Sequence, residues 1–282
     1  MRLQQLDQLS SDDVERVLQC QKQHGIGFGE AAQRLGMIGA IATAYTGTGM
    51  AQQRPQEQSQ QFSLDYLSLR KGEENYPPEL VAAYQPFSDE VKILRAVHAE
   101  LMLRWFSRER KALVIASVDP DEGTSFIAAN LAVVFSQSGS QTLLIDANLR
   151  RPRQHQIFNL DSALGLSSVL ACHAGLEAIT RIADFQDLSV MPAGPLAHEQ
   201  HALVSATSLG TMREKCTAGF GVTLIDAPPF SDGSEAMMMA ACIGGVLLVA
   251  RKHKTRIAAI NAVAAQLARV DAEVVGSILL EF

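Results

Sequence analysis

The chain has 282 residues, 47% of them apolar and 19% charged, enough material for one sizeable α/β domain and a small appendage. Asp and Glu number 30 against 24 Lys and Arg, and the resulting formal charge of −6 excludes a general nucleic-acid binder. The cysteines Cys20, Cys172, Cys216 and Cys242 lack ligand spacing, which excludes a metal cluster and predicts small buried apolar groups in a reducing compartment.

The opening MRLQQLDQLSSDD has no apolar run of the signal-peptide kind. The most apolar stretch, residues 236–250, is too short to span a bilayer and is broken by Gly244 and Gly245, so a soluble protein without membrane insertion is expected. Residues 10–36 read as a helical pair that serves as a protein docking module. Ser10 or Ser11 caps a helix with Asp12 and Asp13 in its first turn, and Gly25, Gly27 and Gly29 precede a second helix ending at Leu35. Residues 51–63 are a glutamine-rich linker, followed by an extended piece holding Tyr66, Tyr76, Pro77 and Pro78. The expected organisation is a helical module at 1–50, linker and extended segment at 51–86, and an α/β domain at 87–282. That domain opens with a helix over 88–106, whose apolar candidates are Val91, Leu94, Val97, Leu101 and Leu103.

An apolar run at 112–116 has the length and branching of a buried parallel strand, and breaks into a loop of acids, proline and glycine at 117–123. A helix is predicted from Thr124 or Ser125, with Ile127, Leu131, Val134 and Phe135 on one face and Gly139 at its end. Residues 142–145 form a second buried strand that stops at Asp146, completing a βαβ unit with a right-handed crossover. A phosphate-binding loop needs glycine where backbone N–H groups approach phosphate, a lysine for the outer phosphates and a hydroxyl for Mg²⁺. It also uses the positive end of the following helix. On that pattern Ala116 holds the first position, Gly123 the second glycine, Thr124 the lysine position and Ser125 the hydroxyl. Taken alone, the loop equally fits a plain strand-to-helix turn. Arg150 and Arg151, just past Asp146, Ala147 and Asn148, suit anion binding at a strand tip as well as an ordinary surface.

A strand at 188–191 leads into Pro192, Ala193 and Gly194. Beyond it His198 and His201, with no third ligand, fit a solvated helix start rather than a metal site. The run at 222–225 ends in Asp226, Ala227, Pro228 and Pro229. A carboxylate at the carboxyl end of a buried strand sits where open α/β sheets place ligands. With Asp146 it gives two acids beside the loop, which suits Mg²⁺ held largely through water. A helix at 232–241, a strand at 245–250, a helix at 255–270 and a strand at 273–280 complete the chain.

The segments LLIDANLRRP and LIDAPP together resemble the bacterial tyrosine kinases of polysaccharide export. These carry a phosphate loop, a hydrophobic-Asp-x-Asp-x-Arg segment and a hydrophobic-Asp-x-x-Pro segment. LVAAYQPFS, LMLRWF, SFIAANLAVVFSQ, RPRQHQIF and EVVGSILLEF are similar to the chain-length-determinant kinase of exosortase-linked exopolysaccharide clusters, the EpsG type. The resemblance covers residues 78–282 and implies a doubly wound, mostly parallel α/β sheet of the P-loop NTPase (MinD/ParA-like) type. It implies ATP held by Gly123, Thr124, Ser125 and Asp226, Mg²⁺ by Ser125, Asp146 and Asp226, and catalytic roles for Asp146 and Arg150. The chain departs from the family at four places around that site. Thr124 stands for lysine. Asn148 stands for the second aspartate and cannot take a proton. Residues 197–201 lack the family's proline turn, and Leu280 stands where an asparagine faces the base. The family's ring-forming Glu-x-x-Arg-x-x-Arg falls on Lys92, Arg95 and His98, which read as a solvated charged face.

Two functions follow from the resemblance. One is a pseudokinase: a cytoplasmic regulator of exopolysaccharide chain length, held at the inner membrane by a chain-length or export protein, or bound to an active kinase paralogue. The other is a working protein-tyrosine autokinase of the same pathway. A positioning ATPase of the MinD/ParA type fits less well, because its additional loop lysine falls on Ser117. All four tyrosines, Tyr45, Tyr66, Tyr76 and Tyr84, precede the loop, so no C-terminal autophosphorylation is expected. Tyr66 and Tyr76 are the acceptor candidates, unless their rings anchor the linker to the domain.

Overall fold

The computed structural model describes residues 76–195 and 205–281. The expected N-terminal helical pair, the glutamine-rich linker with Tyr66, and His198 and His201 lie outside the described residues.

Seven strands form one sheet: β1 (Ala112–Ser117), β2 (Thr142–Asp146), β3 (Thr180–Arg181), β4 (Leu188–Met191), β5 (Val222–Asp226), β6 (Gly245–Arg251) and β7 (Glu273–Leu280), in the order β3-β4-β2-β5-β1-β6-β7. All pairings are parallel except β3 with β4. Both faces are covered, which is why every residue of β1, β2 and β5 is buried and the strands read as unbroken apolar runs. Side chains still alternate between the two faces. Leu113, Ile115, Leu144 and Leu224 join one core cluster, and Val114, Ala116, Leu143, Ile145 and Ile225 join the other.

The first cluster is roofed by α1 (Val81–Tyr84), α2 (Asp89–Arg104) and α3 (Thr124–Gln137). Ser88 caps α2 by accepting from Val91 N at 3.3 Å, with Asp89 and Glu90 in the first turn. Val91, Leu94 and Leu101 are buried and Val97 is partly buried, but Leu103 is 83% exposed. Leu101 and Leu103 lie two residues apart, about 200° around a helix, and cannot share a face. Helix α3 is buried from Ile127 through Ser136, not only along the one face expected from its periodicity. Its outward side is covered by α2 and by residues 77–84. Those residues, read from the sequence as part of an extended connector, supply Leu80, Ala82 and Ala83 to the core. Gly139, with φ 79°, follows the end of α3 as predicted.

The short α4 (Gln154–Ile157) and α5 (Leu166–Leu170) follow β2. The second cluster is covered by α6 (Ala206–Ala218), α7 (Glu235–Ile243) and α8 (Ile257–Ala268). The single helix expected over 232–241 is instead a 3₁₀ turn, Phe230–Asp232, and then α7, because Gly233 between them has φ 149°. The cysteine expectation is corrected at two positions: Cys172 is exposed in a left-handed turn, and Cys242 is half-buried. Among the described residues no helix is long and apolar enough to cross a membrane.

Candidate functional site

Strand order builds the site. Because β5 lies between β1 and β2, Asp146 and Asp226 are register partners on adjacent strands, both fully buried at the carboxyl edge. The β1–α3 loop leads from β1 to α3 and turns through two left-handed residues, Asp121 (φ 58°) and Gly123 (φ 90°). Thr124 opens α3 and Ser125 follows, so the positive end of a 14-residue helix faces the cleft. The cleft is small, about 90 Å³, and is lined by the loop from Pro120 to Phe126 together with Ser117, Asn148, Arg151, Arg153, Ala227, Pro229 and Asp232.

The loop is braced from beneath. Ser117 Oγ donates to Asp119 O at 2.8 Å, and the buried Glu122 accepts from Asp119 N at 3.2 Å. The Thr255 hydroxyl donates to the other Glu122 oxygen, and Lys254 Nζ donates to the carbonyls of Pro120 and Asp121. No sequence pattern announced this bracing, because Glu122 and Thr255 are 133 residues apart.

The two carboxylates are held differently. Asp146 Oδ2 accepts from the N–H groups of Arg153 and Gln154, both at 2.9 Å, and Oδ1 accepts from Asn148 N at 3.3 Å. Asp226 Oδ2 accepts from Gln154 Nε2 at 2.7 Å and the Ser125 side chain lies close to this carboxylate, while Oδ1 is buried with no partner among the described residues. Burial pushes both carboxyls well above the ordinary carboxylate range, and the Asp226 charge raises Asp146 further. A buried acid pair with one orphaned oxygen beside a hydroxyl fits a divalent cation. With two carboxylates in reach, such a cation keeps much of its water. Among the described residues no group of three or more His, Cys, Asp or Glu makes a complete protein cage.

Of the residues read from the sequence, Gly123, Thr124 and Ser125 line the cleft, while Asp146 and Asp226 are buried outside its lining and are tied to Ser125 through Gln154. Asn148 borders the cleft, with its Oδ1 accepting from Arg151 N at 3.1 Å. Arg150 is not among the lining residues and pairs with Glu235 at 2.9 Å. Leu280 is also away from the lining and packs on the first core cluster. Sequence reasoning missed Gln154, a fully buried amide that joins Asp226 to the Ser125 carbonyl, and Arg153. The polar pair stands in RPRQHQIF, close enough behind Asp146 to have marked it.

No family model matches the chain. It is 30% identical over 190 residues to the tyrosine-protein kinase YwqD of Bacillus subtilis (strain 168), an alignment covering 67% of this chain and 80% of YwqD. Among solved structures, the kinase domain of the Escherichia coli tyrosine kinase ETK matches with a TM-score of 0.70 and 25% identity, over 77% of this chain and 86% of that one. The cell division ATPase MinD of Pyrococcus furiosus, at 23% identity and a TM-score of 0.54 over 60% of this chain and 71% of that one, shares the fold alone. Seven strands in a mostly parallel sheet, a phosphate-type loop after the first, and this similarity over two thirds of the chain agree: the protein belongs to the family of bacterial tyrosine-protein kinases.

Proposed function

We propose that the chain is a catalytically impaired member of this family, a pseudokinase-like regulator of exopolysaccharide chain length and export. The carrying observation is a strand-to-helix loop that turns through left-handed Asp121 and Gly123 yet lacks the cation a phosphate loop uses: Thr124 stands at the lysine position, and Asp119, Asp121 and Glu122 are its only charged groups. A lysine about 4 Å from phosphate is worth up to ~4 kcal/mol at an effective dielectric near 20. Each ~1.4 kcal/mol is tenfold in rate, so its loss alone costs roughly a hundredfold or more. Asn148 adds to this, since an amide accepts no proton from a tyrosine hydroxyl.

The ligands this reading assigns are ATP and Mg²⁺, bound weakly. Gly123, Thr124 and Ser125 would face the phosphates, and Ser125, Asp146 and Asp226 would hold the cation, which would neutralise phosphate charge. The partner is a membrane chain-length or export protein, or an active kinase paralogue, and the protein sits at the cytoplasmic face through that partner. The EpsG-type resemblance supports the pathway. A second reading, an active autokinase, is favoured by the convergence of Ser125, Asp146 and Asp226 at one strand edge.

Titration with a fluorescent ATP analogue in Mg²⁺ tests the proposal. Binding much weaker than micromolar is expected, and Thr124→Lys should tighten it. A low-micromolar dissociation constant that ignores Thr124→Lys refutes it.

A further inference from the structure

A polyphosphate requires positive charge close to its outer phosphates, and the loop supplies none. The cleft nevertheless has two basic lining residues, Arg151 and Arg153, both from the turn after β2. Arg153 is fixed there by its backbone, through its own N–H and that of Gln154 on Asp146 Oδ2. Its guanidinium lies near enough to Asp226 to favour the ionised carboxylate. Arg153 Nη2 contacts both oxygens of Glu79, at 2.8 and 2.9 Å. The two side chains are 48% and 31% exposed, so the pair is held weakly and gives way to a denser anion. Glu79 belongs to the segment docked on α3: Asn130 Nδ2 donates to Glu79 O at 2.9 Å, and Asn130 Oδ1 accepts from Ala82 N at 2.9 Å.

The geometry points to Arg153 as the cation that takes the place of the missing loop lysine, with Glu79 as the carboxylate that competes with a nucleoside di- or triphosphate for it. This rests on the reading that the cleft takes a nucleotide. Phosphate entering the cleft draws Arg153 off Glu79, so occupancy also removes one of the contacts that seat residues 77–84. Arg151 is the second cation at the same mouth.

The test compares wild type, Arg153→Ala, Arg153→Lys, Glu79→Gln and Thr124→Lys in the full chain. Each is titrated with fluorescent analogues of ATP and of adenosine in Mg²⁺, and melting temperatures report folding. Arg153→Ala should weaken the triphosphate about tenfold or more while leaving the adenosine analogue unchanged. Arg153→Lys should keep most of the affinity, and Glu79→Gln should tighten it a few-fold. Triphosphate binding that is unaffected by Arg153→Ala, or is not tightened by Glu79→Gln, overturns the assignment. Binding seen in Glu79→Gln but not in wild type supports it. Silence from wild type, Glu79→Gln and Thr124→Lys alike overturns the nucleotide reading itself, and this proposal with it.

Discussion

Asp146 and Asp226 carry the sharpest electrostatic conflict of the described residues: two buried acids, one with an oxygen left unpartnered. Their folded pKa values lie above the ordinary carboxylate range, so the folded chain binds protons that the unfolded chain releases. Stability therefore falls as pH rises from about 4. The loss continues through the folded values, about 6 for Asp226 and about 8 for Asp146. Asp226→Asn removes one of the two charges and leaves an acceptor for Gln154. It should raise Tm at pH 8 in EDTA by about 3–8 °C, corresponding to roughly 1–3 kcal/mol, and by much less at pH 5. Calorimetry at the two pH values measures this; equal gains, or a loss at pH 8, would show that the pair carries no such strain. Mg²⁺ should abolish most of the difference in the wild type by neutralising the same charges.

At the scale of elements, the seating of residues 77–84 on α3 uses two amides, the buried Asn130 and Gln137, whose Nε2 donates to Ala82 O at 3.0 Å. Asn130 serves Glu79 O, Phe126 O and Ala82 N together. Asn130→Leu keeps the volume but orphans two backbone groups of the neighbouring segment, at about 2–4 kcal/mol. Hydrogen exchange should quicken across 77–84 before it does in β1; unchanged protection there would mean that Gln137, the Arg153–Glu79 pair and apolar packing hold the segment without Asn130. The start of β6 depends on a close approach of another kind. A Cβ on Gly245 would lie 2.3 Å from the Trp105 indole, whose Nε1 donates to Ala112 O at 2.8 Å and so holds the ring in place. Gly245→Ala should cost about 1–3 kcal/mol in denaturant unfolding, and a neutral result would show that the ring can move. Helix α2 corrects the expected solvated face in part. Lys92 pairs with Asp89 at 2.7 Å and Arg95 is exposed, but His98 packs edge-on to Phe135 with ring centroids 4.5 Å apart. Burial lowers its pKa, which keeps the ring neutral.

For the whole molecule, the acceptor expectation changes at Tyr76. Its hydroxyl donates to Asp184, its ring packs near Phe158 and Phe185, and the Tyr84 hydroxyl bonds the Tyr76 backbone N–H and carbonyl, both at 2.6 Å. A phosphate on Tyr76 would face a carboxylate. Phosphopeptide mapping after incubation with ATP and Mg²⁺ should therefore find no label on Tyr76 or Tyr84. With an active paralogue present, any label should fall on Tyr66 or Tyr45. Strong labelling of Tyr76 by the chain alone would overturn both this and the pseudokinase reading. With Lys92 and His98 at the resembled ring-forming positions, and His98 turned into the core, the expected assembly is a monomer or a mixed complex. Light scattering that showed a stable symmetric ring would refute it.

The sequence by itself determined six of the seven strands, and burial on both faces makes β1, β2 and β5 continuous apolar runs between polar turns; the two-residue β3, exposed along its length, leaves no such signal. The run ending at Asp146 and the run ending at Asp226 also placed two acids at the ligand edge of a parallel sheet. Helix ends marked by Ser88 and Gly139 were legible for the same local reason, since a cap acts within one turn. What the sequence could not decide was anything requiring the strand order. Asp146 and Asp226 become partners only because β5 inserts between β1 and β2, and only then does mutual repulsion join burial in shifting Asp146. The arginine choice was decided the same way. Three arginines stand within four residues, and the backbone bonds of the β2 turn send Arg150 to Glu235 and leave Arg151 and Arg153 at the cleft. Glu79, Glu122, Gln154 and Thr255 acquire their roles from partners 29 to 133 residues away, a distance at which neither periodicity nor spacing carries information.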